Sequence, residues 1–465
     1  MLSAKAVNFL YAGNLALKTM TPNSSALVSL DGTTLEGGGQ LLRLALSLSS
    51  LTHVPIHLTN IRGKRGSKSA PHEGGGLKAS HLSGAKWLAR ATKAKTKGME
   101  IKSRELTFEP SKSPEKISQI VEDLDTRGSK KTEKGFTILW QNRFDGVRLV
   151  RKESYIPAST PGSIFLILQA ILPYVLFSAP LDEAFSGSSK DVPPLHRIVI
   201  DGGTNVSKSP SFEYIDQVLL PLLHNIVGVP HIRMQLNKRG WSHGGSVIGS
   251  VTFDITPFPP NFMLPSFSFN ERGSVTRFHV SILAPSTAAR MSIRQGITNT
   301  ILRRYPDSEI LFPVDEDSRN PKRLYLLLVA ETSNGYRLGR DWMYDRKATA
   351  STPEQKNEQL VEQVFKDVES EIAHGGCVDE YTQDQLVVFQ ALAKGKADID
   401  GGKGREPSLH TRTVRWVAEQ VLGVKFDEKG TCEGVGFRVG EKYWERIEKG
   451  EESLPGEIEQ LSMSP

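Results

Sequence analysis

Cysteine is nearly absent from this chain, with two in 465 residues, Cys377 and Cys432. They lie far apart, outside any CxxC or Cys/His cluster, which excludes a disulfide framework and a structural zinc. Long apolar runs are missing as well. The most apolar stretch, Ser163 to Phe177, is about fifteen residues long and is interrupted by Gln169 and Pro173, too short for a membrane span. It reads as a buried core helix. No GxxxxGK[ST] occurs anywhere, which removes the P-loop nucleotide-binding class. The first thirty residues hold no acid and only Lys5 and Lys18 as charges. They read as an unstructured leader over residues 1–25; the likeness to a transit peptide is faint because arginine is absent.

What remains is an ordinary globular composition. Hydrophobic residues make up 38%, ample for the cores of two or three domains. The formal charge of +6 suits a polyanionic partner without identifying one. Short β-branched runs (26–30, 197–200, 246–253, 325–330) alternate with helical patterns over 39–50, 163–177, 212–227, 357–373, 379–394 and 409–422. That alternation predicts an α/β or α+β fold with mixed sheets. Polar, turn-rich segments at 62–76, 109–135, 183–195 and 342–357 read as loops or inserts, and the proline-rich 256–270 as a connector. No internal repeat is visible.

Four segments carry chemistry. Residues 31–43 read DG-x3-EGGGQ-x2-R, with Glu36 just before a helix and Gln40, Arg43 and Ser47 on one face of it. Three glycines at a helix start let backbone N–H groups approach a phosphate. Arg43, inside an apolar helix, needs an anion; that anion is either a ligand or Glu36. In the glycine-rich loop after Asn60, Arg62, Lys64 and Arg65 suit phosphate binding or a solvated basic surface. Tyr381, Asp384 and Gln385 stand on the first turns of a helix, either to stack on a nucleoside or as ordinary helix-start polar residues. In SLHT, Ser408 fits an N-cap and Gly423 a stop, which puts His410 in the first turn. There the helix dipole disfavours imidazolium and favours a bound anion. His410 is thus either a nucleophile or a capping histidine.

The order of these segments resembles that of the RNA 3′-terminal phosphate cyclases: EGGGQ-x2-R, NIR-x2-R, GL-x3-HL-x-G, DGGTN, HGG-x-VDEY-x2-DQL and SLHT, from Leu30 to about Phe437. The resemblance implies repeated βαβαββ units, as in enolpyruvate transferases, with a smaller α/β domain inserted. It implies a main domain over 26–255 and 343–440, an insert over 256–342, and a charged tail over 441–465. It also implies ATP and Mg²⁺ or Mn²⁺ as cofactors, and RNA with a 3′-phosphate as substrate; the sequence points to no membrane, and no obligate protein partner can be inferred from it. His410 would carry AMP, helped by Arg43, Arg62 and Arg65. Gln40, Gln169, Pro210, Tyr381, Asp384 and Gln385 would bind ATP, Lys78 and His81 the RNA phosphate, and Glu36 the metal. Where the family reads GLRPQHL, this chain has Gly76, Leu77, Lys78, Ala79, Ser80, His81 and Leu82. The family implies a nuclear location, with cytoplasm and mitochondrion left open. The alternative is a cyclase-like branch that serves ribosomal RNA processing without catalysis, against which His410, Arg43 and Asp384 weigh.

Overall fold

The computed structural model describes residues 27–64, 75–112, 138–145, 148–178, 195–344 and 352–449. Arg65, the leader, most of the expected inserts at 109–135 and 183–195, and the tail beyond residue 449 lie outside the described residues.

Helices and mixed sheets alternate, and a repeat that the sequence hides emerges from the strand pairing. Strand Val28–Asp31, helix Gly39–Thr52, strand Ile56–Thr59, helix Ala79–Ala91, and strands Lys95–Lys97 and Leu106–Glu109 form the first unit. Its first two strands run parallel. The second pairs antiparallel with the fourth, and the fourth with the third.

Strand Arg148–Ile156, helix Ile164–Phe177, strand Leu195–Gly202, a helical stretch over 212–227, and strands Ile232–Lys238 and Gly249–Ile255 repeat this order and pairing. Leu139–Asp145 adds an edge strand. A third, shorter unit comprises strand Ser268–Phe269, helix Glu380–Leu392, strand Lys394–Ile399, helix Leu409–Leu422 and strand Cys432–Val435.

Between Phe269 and Glu380 a separate sheet intervenes. Its strands, in spatial order, are Glu309–Asp317, Val275–Ala284, Tyr325–Thr332 and Arg337–Met343.

Local chemistry explains the helix ends. Ser163, Thr352, Asp379 and Ser408 each accept a hydrogen bond from a first-turn N–H, and left-handed Gly375 and Gly423 close two helices. The stretch over 212–227 contains Pro221, which lacks an N–H and cannot continue a regular ladder. The helix takes π turns on either side, at Ile215–Leu219 and Leu223–Val227.

One core joins the three repeats: Leu41, Leu44 and Leu48, then Phe165, Leu168 and Ile171, then Leu386, Phe389, Val414 and Val417. A second core belongs to the intervening sheet. Helix Thr287–Arg304 gives it Ile293, Ile297 and Ile301, and helix Pro353–His374 gives Leu360, Val361, Val364 and Val368. That second helix lies beyond residue 342, where the sequence reading ended the insert. Conversely, Phe258, Leu264, Phe267 and Phe269 pack in the main core, although the reading placed them inside the insert. Burial against sheet faces sets the packing units, and a proline-rich composition does not reveal it.

Candidate active site

The first helix of each repeat sends its opening turn to the same place. Gln40 and Arg43 come from helix Gly39–Thr52, Leu166 and Gln169 from Ile164–Phe177, and Tyr381, Asp384 and Gln385 from Glu380–Leu392. All of them line one cavity of about 440 Å³, together with Pro210 and His410. Three helix N-termini that converge on a cavity present their positive dipole ends to whatever enters, an arrangement suited to an anion.

Arg43 is largely buried and held from its own helix by Gln40 Oε1. Its Nε has no hydrogen-bond partner. Burial drives its pKa down to about 10, against the attraction of Asp384 and Glu36. Burial also pushes the Asp384 carboxyl up to about 7, although a hydrogen bond from Gln385 and the charge of Arg43 oppose the shift. Gln169 Oε1 is another buried polar atom without a partner. Desolvated, under-satisfied groups of this kind mark a site that awaits a polar ligand.

The glycine run and Glu36 do not line the cavity but pack beside Arg43 and the helix of His410. Glu36 Oε2 accepts from Gly38 N at 2.6 Å, and Glu36 N donates to Thr413 Oγ1 at 3.2 Å. Thr413 is one turn along the helix that begins with Leu409 and His410. A Cβ on Gly39 would stand 2.7 Å from Arg43 Nη1 and 2.9 Å from His81 Nε2. Glycine at this position therefore lets an arginine and a histidine from two helices close over the backbone. His410 is exposed on the cavity wall, and Ser408 caps its helix as the sequence predicts.

The basic loop is placed differently. Arg62 has a left-handed backbone, φ 57. Its N donates to Gly37 O at 2.9 Å and its Nη1 to Gly76 O at 3.1 Å, so the side chain folds back on its own loop. Lys78 is exposed at the N-cap of helix Ala79–Ala91, where its N donates to His81 Nδ1 at 3.3 Å. Neither residue lines the cavity.

Several wall residues escaped the sequence reading. Asn205, Lys208 and Tyr214 come from the DGGTN strand end and the helix after it, while Tyr325, Asp341 and Trp342 come from the intervening sheet. Asp341 is half-buried beside Tyr325, whose hydroxyl donates to it at 3.0 Å, and desolvation pushes its carboxyl up to about 6. Lys208 sits in the motif that supplied Pro210; the strand that carries Asp341 and Trp342 gave no chemical signal.

The model of the RNA 3′-terminal phosphate cyclase family matches residues 34–427, a span that holds every candidate from Glu36 to His410. The chain belongs to that family. It is similar to cyclases so named from Nitrosospira multiformis (29% identity over 85% of this chain and 92% of the relative) and Drosophila melanogaster (27% over 89% and 98%). It is similar also to the cyclase of Pyrococcus furiosus, at 26% identity over 90% of this chain and 100% of the relative. Among the described residues, no helix is long and apolar enough to cross a membrane.

Proposed function

We propose that this protein uses ATP to convert an RNA 3′-terminal phosphate into a 2′,3′-cyclic phosphate. The supporting observation is the cavity where three helix N-termini meet around Arg43, Asp384 and His410, in a chain whose relatives bear the cyclase name.

In this reading ATP lies with its base toward Tyr381 and Pro210 and its phosphates toward Arg43 and the glycine run. An imidazole nitrogen of His410 attacks the α-phosphorus, the bond to the β-phosphate oxygen breaks, and pyrophosphate leaves with the electron pair. Arg43 and the helix N-termini stabilise the charge that develops. An oxygen of the RNA 3′-phosphate then displaces the imidazole from AMP, which gives an RNA–pp–A anhydride. The neighbouring 2′-OH finally attacks the RNA phosphorus, loses its proton, and expels AMP. Because that last attack is intramolecular, orientation supplies most of its advantage. The need for a 2′-OH makes RNA the substrate.

Among the described residues no group of three His, Cys, Asp or Glu side chains is gathered for a metal. This donor set fits Mg²⁺ or Mn²⁺ only as an ion held by one or two carboxylates and completed by phosphate oxygens and water. Glu36, beside the glycine run and in the field of Arg43, is the carboxylate for it, and the ion would neutralise phosphate charge. Lys78, His81 and Arg62 would guide the RNA end. The nuclear location implied by the family belongs to this proposal and is checked by imaging a tagged full-length chain.

The test is a labelling experiment. Full-length protein with α-labelled ATP and a divalent ion should form an acid-labile, alkali-stable adduct, and His410→Ala should lose it altogether. An RNA ending in 3′-phosphate should be cyclised and its 2′-deoxy counterpart should not. Absence of any adduct from the wild-type protein would overturn the enzymatic reading in favour of a non-catalytic role in RNA processing.

A further inference from the structure

Just behind the cavity wall lies an ion network that the reaction does not use. Arg340, on the last strand of the intervening sheet, places its guanidinium carbon 4.2 Å from the centroid of the Tyr381 ring. Its Nη2 donates to Glu371 and, at 3.0 Å, to Glu380, and its Nε makes no hydrogen bond. Glu371, on helix Pro353–His374, is only 2% exposed. Both of its oxygens also accept from Arg405 Nη1, at 2.9 and 2.8 Å. Arg405 stands five positions before His410 in the segment that leads into the nucleophile helix.

The network therefore spans three places: a strand and a helix of the intervening sheet, the Tyr381 turn, and the approach to His410. Burying one carboxylate between two guanidinium groups is costly and needs this geometry to be kept. Tyr381 itself is 49% exposed. Its other aromatic neighbour, Tyr214, lies 6.2 Å away with the two ring planes nearly perpendicular, and the exposed part of the Tyr381 ring lines the cavity.

We propose that Arg340, Glu371 and Arg405 form a positioning network that makes the intervening sheet part of the nucleotide site. Arg340 fixes the Tyr381 ring in the plane that stacks on a base, and Glu371, through Arg405, ties that ring to the segment that presents His410. The inference rests on the ATP reading above, and it assigns the network an effect on base recognition separate from phosphate binding.

The experiment compares ATP with inorganic tripolyphosphate, which has no base, by calorimetric titration of full-length wild type, Arg340→Met, Arg340→Lys and Arg405→Ala. Thermal melts verify that each variant is folded. Arg340→Met should weaken ATP binding about tenfold, the scale of a desolvated cation–π contact, and tripolyphosphate binding by no more than about twofold. Arg340→Lys should recover most of the ATP affinity. Arg405→Ala should leave ATP affinity within about twofold but slow the formation of the protein–AMP adduct by about tenfold, the cost of a small misplacement of the nucleophile.

Equal losses for both ligands, or none, would overturn the role of Arg340. An unchanged adduct rate in Arg405→Ala would overturn the link to His410, a result that stands whether or not Arg340→Met folds. Wild-type protein that binds no ATP would instead bring down the nucleotide reading and this inference with it, a result seen before any variant is measured.

Discussion

The cavity and the basic loop are both built to meet anions, yet they hold their charges in opposite ways. In the cavity, Arg43 and Asp384 rise from the first turns of helices whose other faces are packed in the main core. Their charges are desolvated, and both pKa values move as a result. At the loop, Arg62 bonds back to Gly76 O and Lys78 is exposed, where water screens its field. The difference teaches that charge count in the sequence is a poor guide to where chemistry happens. On the proposed function, one desolvated arginine on a rigid helix should do more for a transition state than several solvated cations on a loop.

The largest effect that would break this contrast is a failure of Arg43 to matter. Beyond the loss of adduct in His410→Ala, Arg43→Met should slow adduct formation by about 10²–10³-fold, the usual loss for a preorganised charge donor, as measured by single-turnover labelling. A loss below about tenfold would place the cavity on a level with the loop.

Asp384 sharpens the same contrast through pH. Its carboxyl is pushed up to about 7 in the folded protein, against about 4 in an unfolded chain. Between those values the folded state keeps a proton that the unfolded state has released. Its contribution to stability therefore falls as pH rises through that window. Asp384→Asn cannot titrate, so the melting temperature of the wild type should drop relative to that of the variant between pH 4 and 8. A constant difference across that range would mean that Asp384 is not desolvated.

The smallest effect is expected at the loop. Lys78→Ala should weaken RNA binding only a few-fold at moderate salt and lower the slope of log K against log salt by about one, as read by filter binding. If adduct formation without RNA also fell, Lys78 would belong to the nucleotide site after all.

Much of this was legible in the sequence because it is written locally. The cap at Ser408, the stop at Gly423 and the apolar face of Leu41, Leu44 and Leu48 follow from neighbours along the chain. The repeat was not legible, because the equivalent helix starts carry unlike side chains: Gln40 and Arg43, Leu166 and Gln169, Tyr381 and Asp384. What they share is shape, imposed by strand pairing.

Helix Ala79–Ala91 was missed for another reason. Gly84 weakens its helical signal, yet a Cβ there would stand 3.2 Å from the Cβ of Ala170 on the neighbouring helix. The glycine is kept for close helix packing. The sequence singles out Gln40, Arg43, Asp384 and His410, which line the cavity, but it gives the loop arginine and the cavity arginine the same standing. Only the folded chain separates them, since Arg43 lines the cavity while Arg62 bonds back to Gly76.

The hydrogen bond from Glu36 N to Thr413 Oγ1 joins residues 377 apart, and its consequence concerns time. During synthesis the glycine run emerges early, whereas its partner on helix Leu409–Leu422 is made only after the whole intervening sheet. Contacts of such long sequence separation form late and slowly. The cavity is therefore completed by the last repeat to be made, and a nascent chain carries no finished wall until that repeat has folded.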